Sequence, residues 1–193
     1  HDVHKADLLN NYFSYVCTKD DGNLPNFISR TSSTIETISF MLAIITRCIN
    51  KLKTNTSAGP DGLPTIILKK LGDSIAYPLS MFFTSFMSVS KLPTEWKSAI
   101  VTPIYKKGQS SCCNNYRPIS LTCTSCKIMG RTIVLELTGY LRANNLITRE
   151  QHGFLTRRST TTNLLETLND WTVAINGRHL VSTVYMDYSK AFD

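Results

Sequence analysis

The chain has 193 residues, of which 42% are hydrophobic, and 21 Lys and Arg against 14 Asp and Glu give a formal net charge of +7. This hydrophobic content excludes a disordered chain, and the length suits one globular domain or part of one. No apolar stretch reaches the roughly 20 residues of a bilayer-spanning helix, so no membrane segment is predicted. The excess of positive charge favours a polyanionic partner such as nucleic acid.

The chain begins with His1 and ends on a segment that carries two carboxylates, so we expect it to be an internal piece of a longer polypeptide. Its six cysteines follow no regular spacing, and no secretory signal is visible at the start. Both observations predict reduced thiols in an intracellular protein. Cys123 and Cys126 have the spacing of a zinc half-site, but no suitable second pair accompanies them, so zinc binding is the weaker alternative.

The first quarter of the chain is predicted to be helical. Lys5 to Val16 has helical spacing, and Ser33 to Glu36 matches a capping box that would open a second helix running to about Leu52. We expect residues 1–53 to form a helical N-terminal extension.

The next segment, from Ser57 to Gly62, reads Ser-Ala-Gly-Pro-Asp-Gly and predicts a tight turn. A short helix from Pro64 to Leu71 should end at Gly72, and a longer helix should run from Asp73 to about Ser90.

A basic β-hairpin is predicted after these helices. Ala99 to Tyr105 is rich in β-branched residues, Lys106 to Asn115 is a polar loop, and Ile119 to Leu121 would form the returning strand. The stretch from Lys97 to Leu135 contains no acidic residue. A solvated face with counter-charges from elsewhere in the fold explains this pattern as well as an anion-binding surface does. The stretch carries six cations: Lys97, Lys106, Lys107, Arg117, Lys127 and Arg131.

Two amphipathic helices are predicted at Thr124 to about Ala143 and at Thr160 to Ile175. The apolar run Thr183 to Met186 predicts a buried strand that delivers Asp187 to the following turn. Such a carboxylate can face a metal or a substrate, or it can hydrogen-bond its own turn or cap a helix. The order of elements indicates an α+β fold.

Several short motifs follow one another along the chain in a fixed order. In this order, they resemble the reverse transcriptase domain of non-long-terminal-repeat (LINE-type) retrotransposons, in particular the jockey and chicken-repeat branches. The resemblance extends from about Lys5 to Asp193. The motifs are Ser57 to Gly62, Pro103 to Gly108, Asn115 to Leu121, Gln151 to Phe154, Arg157 to Thr160 and Tyr188 to Asp193.

This resemblance implies a right-hand polymerase, with residues 54–193 forming an incomplete domain of fingers and the first part of the palm. The implied function is that of an RNA-directed DNA polymerase, which copies RNA into DNA by two-metal nucleotidyl transfer. Asp187 matches the catalytic carboxylate and ligand of two Mg²⁺ ions, and the backbone carbonyl of Tyr188 matches a second metal contact. Phe192 matches the aromatic steric gate against ribonucleotides, for which a core Phe is the alternative.

The resemblance also implies a group of dNTP-binding residues. Among them is Arg117, whose guanidinium fork suits phosphate oxygens. For Lys106 and Lys107, solvated loop lysines are an equally good interpretation. The implied template contacts are Ser57 and Gly59 in the turn, with Arg157 and Arg158, although Leu155 stands where the family often has Arg. The alternatives are a turn that only joins two helices and, for the two arginines, surface charges at the entry of a helix. The implied dNTP-binding residues are Lys106, Lys107, Arg117, Lys190, Ala191 and Phe192.

The partners implied are an RNA template, a DNA primer and dNTPs, and the family is expected in nucleus and cytoplasm. The second carboxylate motif of the family is absent from the sequence, so we expect this chain alone to be inactive. The alternative function is a non-catalytic, basic nucleic-acid-binding remnant of a degenerate or domesticated element. Salt-sensitive binding that does not depend on Asp187 would distinguish it.

Overall fold

The computed structural model describes residues 2–17, 22–24, 26–28 and 30–188. Helices and a two-stranded sheet make up its regular structure, in agreement with the predicted α+β class. The chain divides into two compact units, one up to Tyr140 and one from Leu141 on. The elements are α1 (Asp2–Val16), α2 (Leu42–Asn50), α3 (Thr65–Leu71), α4 (Asp73–Ser88), β1 (Ile100–Tyr105), β2 (Tyr116–Leu121), α5 (Thr124–Ala143) and α6 (Thr160–Asn176).

The hydrophobic core of the first unit lies between α2, α3, α4 and the start of α5. Phe83 of α4 is fully buried, and its ring meets Phe40 at 5.5 Å and Trp96 at 6.0 Å between centroids, both edge to face. Trp96 is therefore a packing residue. The other buried core residues are Ile45, Cys48, Ile49, Leu52, Leu68, Ala76, Leu79, Ile128 and Met129.

The predicted capping box at Ser33 to Glu36 is wrong, because α2 begins nine residues later, at Leu42. Residues 33–40 form no helix. Their β-branched side chains disfavour a helix, and long-range hydrogen bonds hold the backbone at both ends. The carbonyl of Ser33 accepts from the hydroxyl of Tyr140 at 2.5 Å, and that of Phe40 accepts from Ser80 Oγ at 2.7 Å.

The predictions for α1, α3, α4, α5 and α6 are confirmed, with ends that differ by up to three residues. Gly72 ends α3 as predicted, in a left-handed conformation with φ of 51°. This conformation suits glycine and lets the chain turn directly into α4.

The predicted hairpin is confirmed, and its second strand begins earlier than expected, at Tyr116. The strands are antiparallel, with Ile104 opposite Arg117 and Pro103 opposite Pro118. The Lys106 N–H donates to the Asn115 carbonyl at 2.8 Å, so alternation along the ladder makes Pro103 and Pro118 a non-hydrogen-bonded pair. Proline is tolerated there because its missing N–H removes no ladder bond.

The predicted final strand at Thr183 to Met186 is wrong within the described residues. Residues 181–188 have neither helical nor strand structure, and Val184, Tyr185 and Met186 are about four-fifths exposed. A strand forms when a neighbour supplies its hydrogen bonds, and the sheet that the structure describes holds β1 and β2 alone.

The two compact units meet after Tyr140, whereas the predicted functional boundary lies between residues 53 and 54. The core of the first unit includes Ile45 and Ile49 before that boundary and Leu68 and Phe83 after it. The functional boundary stays a prediction. Across the described parts of the chain, no helix combines the length and apolar character needed to cross a membrane.

Candidate nucleotide and nucleic-acid site

The loop that contains Ser57 and Gly59 packs onto the start of α5. A β-turn closes it, with the Gly62 N–H donating to the Gly59 carbonyl at 3.0 Å. Gly59 is buried, and a Cβ built on it would stand 2.5 Å from the backbone nitrogen of Cys123. This close approach admits no side chain, so Gly59 fixes the loop in place. Ser57 is exposed beside it, as a template contact would be.

Hydrogen bonds between threonine hydroxyls link the same loop to the start of α3 and the start of α5. Thr65 Oγ1 lies 2.8 Å from Thr56 and 2.9 Å from Thr124, and both Thr65 and Thr124 are buried. Burial also raises the pKa of the nearby Cys123 thiol, which donates to the Glu95 carbonyl at 3.5 Å. A thiol with a raised pKa stays protonated, which fits a packing role for Cys123.

The loop at the tip of the hairpin is ordered by its own polar groups. The hydroxyl of Tyr116 donates to the Ser110 carbonyl at 2.8 Å, and that of Tyr105 donates to the Gly108 carbonyl at 2.5 Å. Asn115 Nδ2 donates to the Gln109 carbonyl at 2.9 Å. These bonds hold the loop bearing Lys106 and Lys107 in one conformation, which reduces the entropy lost on binding a ligand.

The hairpin register brings two predicted ligand-binding cations together. Arg117 lies opposite Ile104, and Lys106 follows Ile104 by two positions, on a ladder that continues through its bond to Asn115. Because side chains alternate between the faces of a strand, Lys106 and Arg117 share one face. Both are exposed, and Lys107 follows in the loop. A guanidinium and an ammonium on one face can hold phosphate oxygens.

His152 in the second unit is the centre of a polar network. It is buried, with Nε2 2.7 Å from Glu166 Oε2 and Nδ1 2.8 Å from Thr162 Oγ1. A carboxylate can only accept, so the Nε2–H of His152 donates to Glu166. The sequence analysis missed this network, although Thr162 and Glu166 are four residues apart and therefore on one face of α6.

The two predicted template arginines have different surroundings. The Arg158 guanidinium donates to the Arg149 carbonyl and lies 3.2 Å from His152 Nε2 and 3.9 Å from Glu166 Oε1. Arg157 is exposed and has a left-handed backbone, with φ of 65°. The structure therefore uses Arg158 to tie the loop to α6, and it presents Arg157 to solvent.

The hydrogen bond from His152 lowers the pKa of the Glu166 carboxyl, and the charges of His152, Arg158 and Arg149 act in the same direction. A carboxyl with a lowered pKa stabilises the fold above its unfolded value of about 4.5, and this contribution disappears as pH falls through the folded value. We expect the amides at the start of α6 to lose hydrogen-exchange protection below about pH 4.5. Exchange should be normalised to intrinsic rates.

The isosteric variant Glu166→Gln is the matched control for this titration. Its protection should be lower than that of the wild type at neutral pH and should change little on acidification. An equal acid-induced loss in both proteins would show that a different group titrates.

Asp187 and Tyr188 are exposed near the end of the described residues of the second unit. Arg117 belongs to the first unit. Within the described residues, no three or more His, Cys, Asp or Glu side chains are grouped as metal ligands. Mg²⁺ often binds to one or two carboxylates together with substrate phosphates, and Asp187 offers one such carboxylate. Lys190, Ala191, Phe192 and Asp193 lie outside the described residues.

Comparison with known proteins finds RNA-directed DNA polymerases of mobile elements among the relatives of this chain. Over 146 residues, or 75% of its length, the chain is 30% identical to the RNA-directed DNA polymerase from mobile element jockey of Drosophila melanogaster. The chain is a homologue of RNA-directed DNA polymerases from non-LTR mobile elements. Two probable polymerases of the same fly, from transposons X-element and BS, are 23% and 26% identical over 77% of the chain.

This non-LTR polymerase homologue spans about one sixth of the length of its relatives, 16% of the jockey and X-element polymerases and 17% of the BS polymerase. No family model matches the chain. The three polymerase relatives confirm the resemblance to non-LTR reverse transcriptases that the ordered motifs indicate.

Proposed function

We propose that this chain is part of an RNA-directed DNA polymerase that copies RNA into DNA from a primer. The observation that carries the proposal is the identity with the jockey polymerase over three quarters of the chain. The ordered hairpin, with Lys106 and Arg117 on one face, adds a phosphate-binding surface. A right-hand polymerase fold, with residues 54–193 in the fingers and the first part of the palm, is part of the same proposal.

In this proposal Asp187 is the catalytic carboxylate, and together with the Tyr188 carbonyl it holds Mg²⁺. Asp187 and the Tyr188 carbonyl would be among the groups that hold two Mg²⁺ ions, whose chemistry would be activation of the primer hydroxyl and stabilisation of the pyrophosphate leaving group. Hard oxygen donors such as these suit Mg²⁺. The described residues supply one carboxylate at this position, so further carboxylates are needed and the chain alone is proposed to be inactive.

The triphosphate of the incoming nucleotide would be held by Arg117, Lys106 and Lys107. The positive charges of a guanidinium fork and two mobile ammonium groups complement its negative charge. The remaining proposed contacts come from the family resemblance. The backbone around Lys190 and Ala191 would lie near the triphosphate, with Phe192 as the steric gate. Ser57, Gly59, Arg157 and Arg158 would contact the template strand.

Primer extension on an RNA template tests the proposal in the full-length protein. With Mg²⁺ and dNTPs, we expect DNA synthesis that requires the template. Removing a charge-assisted phosphate contact costs about 1.5–3 kcal/mol, so Arg117→Ala should raise the KM for dNTPs by about 10- to 100-fold. Arg117→Lys should recover part of the loss, since it keeps the charge without the fork.

Lys91→Ala is the control, because Lys91 is an exposed cation outside the hairpin. An unchanged KM in Arg117→Ala would remove Arg117 from the dNTP site. Salt-sensitive RNA binding without any synthesis would favour the non-catalytic remnant instead.

A further inference from the structure

A cleft of about 630 Å³ lies between α2 and α5 in the first unit. Its polar lining has two cations on each side: Arg47 of α2 with the C-cap residue Lys51, and Lys127 with Arg131 of α5. Apolar groups such as Cys48 and Val134 form the rest. The lining contains no carboxylate and no aromatic ring. Among the described residues, none of those proposed for dNTP, template or metal lines this cleft.

Each cation pair in the cleft is spaced four residues apart, which places like charges side by side on one helical face. Such a pair of like charges destabilises the helix that carries it. Within the described part of the chain, the recorded ion pairs involve none of these four cations. Glu136 lines a neighbouring depression together with Arg47, but no ion pair joins them there. The cleft therefore concentrates positive charge without a counter-charge in the described fold.

The helix dipole distinguishes the two pairs. Arg47 and Lys51 lie at the C-terminal end of α2, where the dipole favours a cation. Lys127 lies in the first turn of α5, where the dipole disfavours a cation and where no acidic residue compensates for it. The dipole therefore does not stabilise Lys127, and a bound anion would offset the repulsion between Lys127 and Arg131.

The shape of the cleft and its lining point to a strand as the ligand. Arg47, Lys51 and Arg131 are exposed, so the cleft is open to solvent, as a continuous chain requires. Its volume of about 630 Å³ is that of a small-ligand site, which holds a few nucleotides of one strand at most. Without an aromatic ring, the lining offers no stacking platform for bases, and its cations suit phosphates.

We propose that the α2–α5 cleft binds the phosphodiester backbone of a single strand of nucleic acid, independently of base sequence. Arg47 and Lys51 contact phosphates from one wall, and Lys127 and Arg131 contact them from the other. Binding is then largely electrostatic and falls steeply with salt.

Gly130 lines the cleft and allows a test by added charge. A Cβ at this position would meet no atom within 4 Å, so Glu and Gln both fit, and both favour a helix more than glycine does. The Kd of a labelled 12-residue oligouridylate for the 193-residue chain is measured by fluorescence anisotropy over a range of KCl concentrations. Circular dichroism verifies the fold of each variant.

We expect Gly130→Glu to bind about tenfold more weakly than Gly130→Gln, which corresponds to one lost charge interaction of about 1.4 kcal/mol. The double variant Lys127→Ala with Arg131→Ala should reduce the slope of log K against log salt by about 1.4, or about 0.7 for each phosphate contact. Lys91→Gln, which also lowers the net charge by one but outside the cleft, should change neither quantity appreciably.

Equal affinities of the Glu and Gln variants, or an unchanged salt slope in the double variant, would overturn the proposal. Complete displacement of the oligouridylate by uridine monophosphate, at a concentration too low to affect the salt slope, would also overturn the proposal. The cleft would then bind a single nucleotide. None of these readouts requires polymerase activity, so the proposal can fail while the proposed function stands.

Discussion

Phe83→Ala should destabilise the first unit by about 3–5 kcal/mol. Phe83 is fully buried where α4 meets Phe40 and Trp96, and its ring lies edge to face with both. Truncation removes the transfer free energy of the ring and leaves a cavity, because the surrounding helices relax only in part. A loss of this size is a large fraction of the total stability of about 5–15 kcal/mol that is typical of a domain.

Urea unfolding followed by circular dichroism measures this loss as a shift of the midpoint at constant slope. Phe82→Ala is the matched control, since Phe82 is the adjacent residue of α4 and its side chain is 57% exposed. We expect the control to lose less than about 1 kcal/mol, a typical value for an exposed position. Similar losses in the two variants would contradict the assignment of Phe83 to the core.

The sequence was sufficient to predict those helices and strands that are determined by neighbouring residues in the chain. The spacing of apolar residues predicts α5, and β-branched composition followed by a polar loop predicts the hairpin. The predicted start of β2 at Ile119 is late and leaves out Pro118, and the sequence does not show which residue pairs of a ladder lack hydrogen bonds and so admit a proline. The register opposite Pro103 supplies that information.

The errors arise where distant groups decide the local conformation. The motif at Ser33 to Glu36 does not cap a helix, because the segment is held by Tyr140 and Ser80 from other parts of the first unit. A capping box does form at Ser159 and Thr162, where the side chain and backbone of each residue are bonded to the other. The apolar run before Asp187 has strand composition but no neighbouring strand among the described residues.

The candidate site was predictable in parts. Motif order indicated Arg117 and Asp187, but it did not show that Lys106 shares a face with Arg117. That information comes from the register. The engagement of Arg158 with His152 and Glu166 also depends on the fold, as does the meeting of α2 and α5 in a cationic cleft.

Asp187→Asn should lower the kcat of RNA-templated synthesis by more than about 100-fold in the full-length protein. Mutation of residues that merely support a metal ligand typically costs 10- to 100-fold, and here a proposed ligand itself is lost. Asn is nearly isosteric with Asp, and Asp187 is exposed, so the fold should be unaffected. RNA binding should be equal or slightly stronger, because one negative charge is removed.

Asp170→Asn is the matched control, since it makes the same change at an exposed position of α6 in the same unit. It should leave synthesis and binding close to those of the wild type.

The most direct test of catalysis at Asp187 is primer extension on an RNA template with Mg²⁺. The full-length wild type, Asp187→Asn and Asp170→Asn are compared side by side, and RNA affinity is measured on the same preparations. We expect Asp187→Asn alone to lose synthesis, while all three proteins bind RNA. Undiminished synthesis by Asp187→Asn would contradict the assignment of Asp187 to catalysis.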